Sequence, residues 1–187
     1  MPPQPNPSAP SVAAFTAKSS PPQKQLVLRS AAQVRQAASL GKGGATQAFT
    51  AIWDTGASST CISPKISQAL GLGAISMATI HAVGSSYDAP VCKIDVILPN
   101  GLVVVDVRAV EVRNIQGADM LIGMDIITTG DLAITNADND TWFSFRFPSA
   151  RQHIDYADEA SRINRSQAQT SDRQRMIKNL KRKGKLR

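Results

Sequence analysis

Ala51-Ile52-Trp53-Asp54-Thr55-Gly56-Ala57-Ser58-Ser59-Thr60 is the stretch from which the rest of the chain is read. An apolar run ends in a carboxylate, and Thr-Gly-Ala follows at once. Apolar residues before a charged one mark a strand leaving a core. Gly56, without a Cβ, permits a tight turn at positive φ. The pattern predicts that Asp54 sits on a turn at the rim of a core, where its surroundings can tune its acidity. A lone Asp-Thr-Gly is also an ordinary surface turn, so a second signal is needed.

That signal lies roughly 65 residues on, at Asp119-Met120-Leu121-Ile122-Gly123-Met124-Asp125-Ile126-Ile127. Two large aliphatics, a Gly and a short helical stretch follow one another. Together, Asp54-Thr55-Gly56-Ala57 and this second segment resemble the retroviral-type (retropepsin-like) aspartic peptidases, in their cellular and bacterial branch. The resemblance covers roughly residues 46–149. It implies an all-β fold, a single-lobe acid-protease β-barrel with one or two short helices, functional as a symmetric dimer. It implies that Asp54 is catalytic and that Thr55, Gly56 and Ala57 complete the active loop. Leu121, Ile122 and Gly123 are implied to cross behind that loop and brace it.

The sequence departs from the retroviral pattern at two positions. Ser58 and Met124 stand where retroviral members often carry an Asp and an Arg that form an ion pair. Ala57 stands where bilobed relatives often carry Ser. A different dimer edge is expected, and the strand Trp142–Phe147, with Trp142, Phe143, Phe145 and Phe147, is the candidate, since exposed aromatic edge strands usually have a partner.

Around these signatures the chain divides into a segment 1–45, a protease domain 46–149 and a basic tail 150–187. Residues 1–24 hold most of the prolines with many Ser, Ala and Gln, a composition that predicts disorder. From Leu26 to Leu40, Ala and Gln favour helix and Gly41 can end it, although Leu26–Arg29 equally suits a strand. Gly41-Lys42-Gly43-Gly44 lacks the Gly-x-x-x-x-Gly-Lys-Ser/Thr frame of a phosphate cradle.

Gln47–Trp53 reads as the strand that delivers Asp54, and Thr60–Ser63 as the outgoing strand. Ser63-Pro64 reads as a helix start, and Gly71 as its end. Ala78–Val83 and Ala89–Leu98 are β-rich and flank a small tip. The resemblance makes this hairpin the flap over the substrate, with Val83, Gly84 and Ser85 at its tip. An ordinary surface hairpin is the alternative. Pro99-Asn100-Gly101 is a hairpin turn before the strand Leu102–Val110. Met120–Ile122 reads as a buried strand, Met124–Thr128 as a short helix and Leu132–Phe147 as a last hairpin. Asp125 suits a helix start, and Asp95 and Asp106 read as solvent-facing.

The net charge of +7 is local. Residues 1–150 hold ten basic and ten acidic side chains, whereas 151–187 hold eleven and four. The body is neutral, and the tail, above all residues 173–187, fits a solvated charge run or non-specific contact with nucleic acid or another polyanion. No aromatic residue follows Tyr156, which argues against base stacking. Two Cys and two His at scattered spacings give neither a disulfide framework nor a zinc site, so no metal and no cofactor are expected. The histidines lack a Gly-x-Ser-x-Gly elbow to serve. No apolar run is long enough for a membrane span. The N-terminus lacks the pattern of a signal peptide, so a cytoplasmic location is the expectation.

The expected function is that of a homodimeric aspartic endopeptidase acting on a polypeptide substrate. Peptide hydrolysis by water needs a base for the water and an acid for the carbonyl oxygen. Two carboxylates sharing a proton supply both. With one Asp-Thr-Gly in the chain, each subunit must contribute one Asp54. The competing readings are a non-catalytic dimeric peptide-binding module of the same fold and a tail-led polyanion-binding protein.

Overall fold

The computed structural model describes residues 12–41, 44–82 and 85–183. Residues Met1–Ala150 form one compact unit and Arg151–Arg187 another. The first unit is almost entirely β.

Six strands close into a barrel. They are β2 (Arg29–Gln36), β3 (Gln47–Trp53), β4 (Cys61–Ile62), β6 (Ser85–Ile97), β7 (Val103–Glu111) and β8 (Met120–Ile122). Their order is β2-β3-β8-β4-β7-β6, and β6 pairs back onto β2 to complete the ring. Strand β5 (Ala74–Ala82) adds to β6 as a long hairpin, Ala82 opposite Ser85. The tip residues Val83 and Gly84 lie outside the described residues. Helix α1 (Pro64–Leu70) follows β4 and ends at Gly71, whose φ of 59° suits glycine. Ser63 occupies the cap position without a side-chain bond to the helix, and its hydroxyl is buried without a partner. Helix α2 (Met124–Ile127) is a single turn after β8.

A second sheet has three strands, β1 (Ala13–Lys18), β10 (Asp140–Phe147) and β9 (Asp131–Ala137), with β10 in the middle. Asp138 and Asn139, at φ 50° and 62°, form the two-residue turn between β9 and β10. Phe15, Phe143 and Phe145 from this sheet meet Trp53 from β3, with ring centroids 5.0–5.8 Å from it. One continuous core therefore joins the small sheet to the barrel wall that carries the Asp54 loop.

Three expectations are corrected here. First, the N-terminal segment is neither disordered nor helical across residues 13–36. Ala13–Lys18 is strand β1, and Arg29–Gln36 is strand β2. Helix propensity amounts to a few tenths of a kcal/mol per residue. Strand β2 instead buries Ser30, Ala32 and Val34 on alternate positions and pairs on both edges. Among the described residues of this segment, the only helical piece is a one-turn 3-10 helix at Ala38–Leu40. The barrel unit thus reaches back beyond residue 46.

Second, Trp142–Phe147 is not an edge. Strand β10 is paired on both sides, and Phe143 and Phe145 are wholly buried, so their aromatic mass is core. Third, Asp95 is not solvent-facing. It is 1% exposed and accepts hydrogen bonds from Arg35 Nε at 3.0 Å, Asp106 N at 3.1 Å and Ala38 N at 3.4 Å. A buried carboxylate is tolerable only with such partners. Asp106 is solvent-accessible as expected. The Ser39 hydroxyl beside it, helped by Lys93, holds its carboxyl below the usual range.

Helix α3 (Tyr156–Arg182) forms the second unit and buries none of its residues. Asp155 caps it by accepting Ala157 N and Asp158 N, acids occupy its first turn and bases its last. Both features oppose the charge of the helix dipole. Among the described residues no helix is long and apolar enough to cross a membrane.

Candidate active site

Strand β3 places Phe49, Ala51 and Trp53 inward, and the chain leaves the barrel at Asp54. The exit is fixed by backbone. Asp54 N donates to Ile122 O at 3.0 Å, which prolongs the parallel ladder of β3 on β8 by one step. Ala57 N donates to Asp54 O at 3.2 Å and closes the turn. Gly56 N donates to Asp54 Oδ1 at 2.8 Å and pins the carboxylate. A side chain at position 56 would crowd the carboxylate, but no positive φ is involved. Gly56 does not adopt a positive φ, and a Cβ there would stand 3.2 Å from Asp54 Oδ1. Asp54 is half-buried, and Thr55 beside it is exposed.

Strand β8 threads between the two arms of this loop. It runs parallel to β3, with Ile52 opposite Leu121 and Trp53 opposite Ile122. It runs antiparallel to β4, with Cys61 opposite Leu121. Gly123 then passes so close to the outgoing arm that a Cβ would lie 2.5 Å from Ser59 C and 2.7 Å from its oxygen. Only glycine fits there without backbone movement. Leu121 therefore lies between Ile52 and Cys61, Ile122 meets Asp54, and Gly123 lies against Ser59 and Thr60. Met124 N reaches back to Ala57 O at 2.8 Å and ties α2 to the loop.

Thr60 and Asp125 are the pair that the sequence reading missed. Thr60 is fully buried. Its hydroxyl donates to Asp125 Oδ1 at 2.8 Å and accepts from Gly123 N at 3.3 Å. Its backbone N donates to Asp125 Oδ2 at 3.0 Å. Asp125 also accepts Ile126 N, as a helix-start acid does. Its larger part is the clamp on Thr60. The spacing of Thr60 and Asp125 carries no local signal, since the two meet only through the crossing.

Cys61 follows Thr60 and donates to Ser59 O at 3.4 Å. Burial first, then the negative charges of Asp125 and Asp54, push its thiol up to about 11. Ser85 is the first residue of β6, next to Val83 and Gly84, which lie outside the described residues. Among the described residues no group of three or more His, Cys, Asp or Glu is arranged for a metal ion.

Residues 44–129 match the family described as gag-polyprotein putative aspartyl protease. No curated protein matches the chain. Among solved structures, the chain is similar to a retropepsin-like aspartic protease from Rickettsia conorii, at 10% identity and a TM-score of 0.45. That likeness covers 73% of this chain and 94% of the other.

Two outcomes are expected from this geometry. Asp125→Ala leaves two buried Thr60 donors without their acceptor and should cost about 1–3 kcal/mol in denaturant unfolding. Cys61 should give a pH-dependent stability. Its folded value of about 11 lies above the ordinary 9.0, so its contribution is complete below pH 9 and lost as pH rises through 11. Thermal unfolding of Cys61→Ala should show a flatter decline than the parent across that window; identical slopes would contradict the assignment.

Proposed function

We propose that this chain, whose residues 44–129 match the family described as gag-polyprotein putative aspartyl protease, is an aspartic endopeptidase that works as a symmetric dimer. The observation that carries the reading is the placement of Asp54. A half-buried carboxylate stands at the end of a core strand, and Gly56 N, Ile122 O and the Gly123 crossing fix its loop. A surface turn needs none of that bracing. A site that must hold a carboxylate to a fraction of an ångström does.

In this reading the two Asp54 side chains, one from each subunit, face each other across a two-fold axis. Like charges that close cannot both ionise, so the pair shares one proton. The ionised carboxylate takes a proton from water as it attacks the scissile carbonyl carbon. The protonated one gives its proton to the carbonyl oxygen. The tetrahedral diol then collapses, the C–N bond breaks, and the leaving amine takes a proton from the pair. Thr55 links the two loops, and Gly56 offers backbone to the substrate's main chain. Val83, Gly84 and Ser85, at the end of the β5–β6 hairpin, cover the bound peptide. Leu121, Ile122 and Gly123 hold the loop in place. No metal or cofactor enters.

A second contact is supported by α3. It buries none of its residues and carries Arg173, Arg175, Lys178, Lys181 and Arg182, with Lys183 at its C-cap and no acid among them. Such a run attracts polyanions without reading sequence.

The wild type should cleave a mixed peptide library between about pH 4 and 7, and Asp54→Asn should abolish cleavage. Equal cleavage by both proteins would end the proposal. Truncation after Ala150 should leave cleavage intact and remove salt-sensitive binding to single-stranded nucleic acid. Retained binding by the truncated protein would assign the contact elsewhere.

A further inference from the structure

A row of outward side chains crosses four strands beside Asp54. The register sets Cys61 opposite Leu121, Leu121 opposite Ile52 and Ile52 opposite Arg29. Directly opposed residues on neighbouring strands share a face. Their neighbours in sequence, Ile62, Ile122, Trp53 and Ser30, are buried, so this face is the outer one. Asp54 stands at its margin. It follows two residues after Ile52, and its charge, after burial and Asp125, helps push the Cys61 thiol up. Cys61, Leu121 and Ile52 are half-buried, and the row ends in the exposed cation Arg29.

Arg29 makes no ion pair and no side-chain hydrogen bond among the described residues. Its guanidinium lies against Gly117, where a Cβ would stand 3.0 Å from Nη2. Lys18, Lys24 and Arg29 share an open groove of about 400 Å³ whose lining holds no acid. Leu26 and Val27 also line it. Leu28 O accepts Trp53 N at 3.0 Å, so this stretch runs alongside the exit of β3 toward Asp54. Lys18 lies over the Trp142 ring, 4.4 Å from its centroid, which steadies the ammonium and leaves its charge in place.

The nearby acids are engaged elsewhere. Asp140 is buried and accepts Ser19 Oγ and Gln23 N, each at 3.2 Å. Asp119, which shares a second groove with Arg29, is paired with Lys65 at 2.8 Å and accepts Thr50 N. The fold thus gathers three cations and gives them no counter-charge. A cleft lined by one sign of charge draws in the other. A guanidinium also offers a carboxylate two parallel donors.

We infer that Arg29, with Lys24 and Lys18 beside it, determines specificity by selecting peptides that carry an acidic side chain near the cleaved bond. This rests on the endopeptidase reading, which lays a peptide over the face next to Asp54. The row spans three strand spacings, about 14 Å, which an extended peptide covers in about four residues. A two-fold pair presents the row twice, so the preference holds on both sides of the bond.

The test uses the full chain and matched peptides that differ only in Glu, Gln or Lys at one position. That position is moved stepwise away from the cleaved bond on each side. At one position or more the wild type should favour Glu over Gln about three- to tenfold in kcat/KM, and less at high salt. Arg29→Gln should bring the ratio close to one. Arg29→Glu should invert it in favour of Lys, a reversal that loss of fold cannot produce. Binding to Asp54→Asn, followed by fluorescence anisotropy, gives a readout without chemistry. The Glu peptide should bind about three- to tenfold more tightly than its Gln twin, and adding Arg29→Gln should remove the difference.

Asp54-dependent cleavage without an acidic preference at any position would overturn the role of Arg29 and leave the endopeptidase reading standing. A preference that survives Arg29→Gln would do the same. Arg29-dependent binding of the Glu peptide, with no cleavage by the wild type, would support the role of Arg29 and overturn the catalytic reading. Neither cleavage nor Arg29-dependent binding would overturn both.

Discussion

The structure depends on one close crossing. Gly123 passes within a distance of Ser59 that leaves no room for a Cβ, and this lets β8 lie between both arms of the Asp54 loop. The long-range bonds that brace the carboxylate's loop follow from it, beside the local bonds from Gly56 N and Ala57 N. The Asp54 N to Ile122 O bond exists because β8 is alongside. The clamp of Asp125 on Thr60 exists because α2 begins directly after the crossing. A side chain at position 123 would push the two segments apart, and the hydrogen bonds on both sides would open together.

Two carboxylates, the exposed Asp125 and the buried Asp95, use the same physics for different ends. Asp125 satisfies Thr60, and so stabilises the outgoing arm of the loop. Asp95 collects Arg35 and two backbone donors where β2 and β6 close the barrel. Each is held by several donors, and for the buried Asp95 that is the condition for taking a charge out of water. Both stabilise backbone placed by the tertiary fold, and neither is required by its neighbours in sequence.

The aromatic residues show how burial reassigns a pattern. Trp142, Phe143, Phe145 and Phe147 read in sequence as a sticky edge. Strand β1 covers one side of β10 and β9 the other, and Phe15 joins the cluster on Trp53. The exposed apolar edge moves outward by one strand, to β9 and Ile134. Which strand is an edge depends on what pairs with it, and here the pairing strand comes from a segment whose composition argued for disorder.

The sequence by itself determined the elements with local chemistry. Asp-Thr-Gly-Ala after an apolar strand, Leu-Ile-Gly before a short helix, Pro64 and Gly71 around α1, and the Asn100-Gly101 turn all act through nearest neighbours. Their order along the chain was enough for the barrel. Only the tertiary structure decided the fate of residues 13–36, the burial of Asp95, the pairing of Asp125 with Thr60 and the position of the open edge. In each case the deciding partner is far away in sequence: Phe147 for Ala13, Val96 for Val34, Arg35 for Asp95 and Thr60 for Asp125. Local propensity is worth tenths of a kcal/mol per residue, and it yields wherever a distant strand offers a full ladder of hydrogen bonds and a buried face.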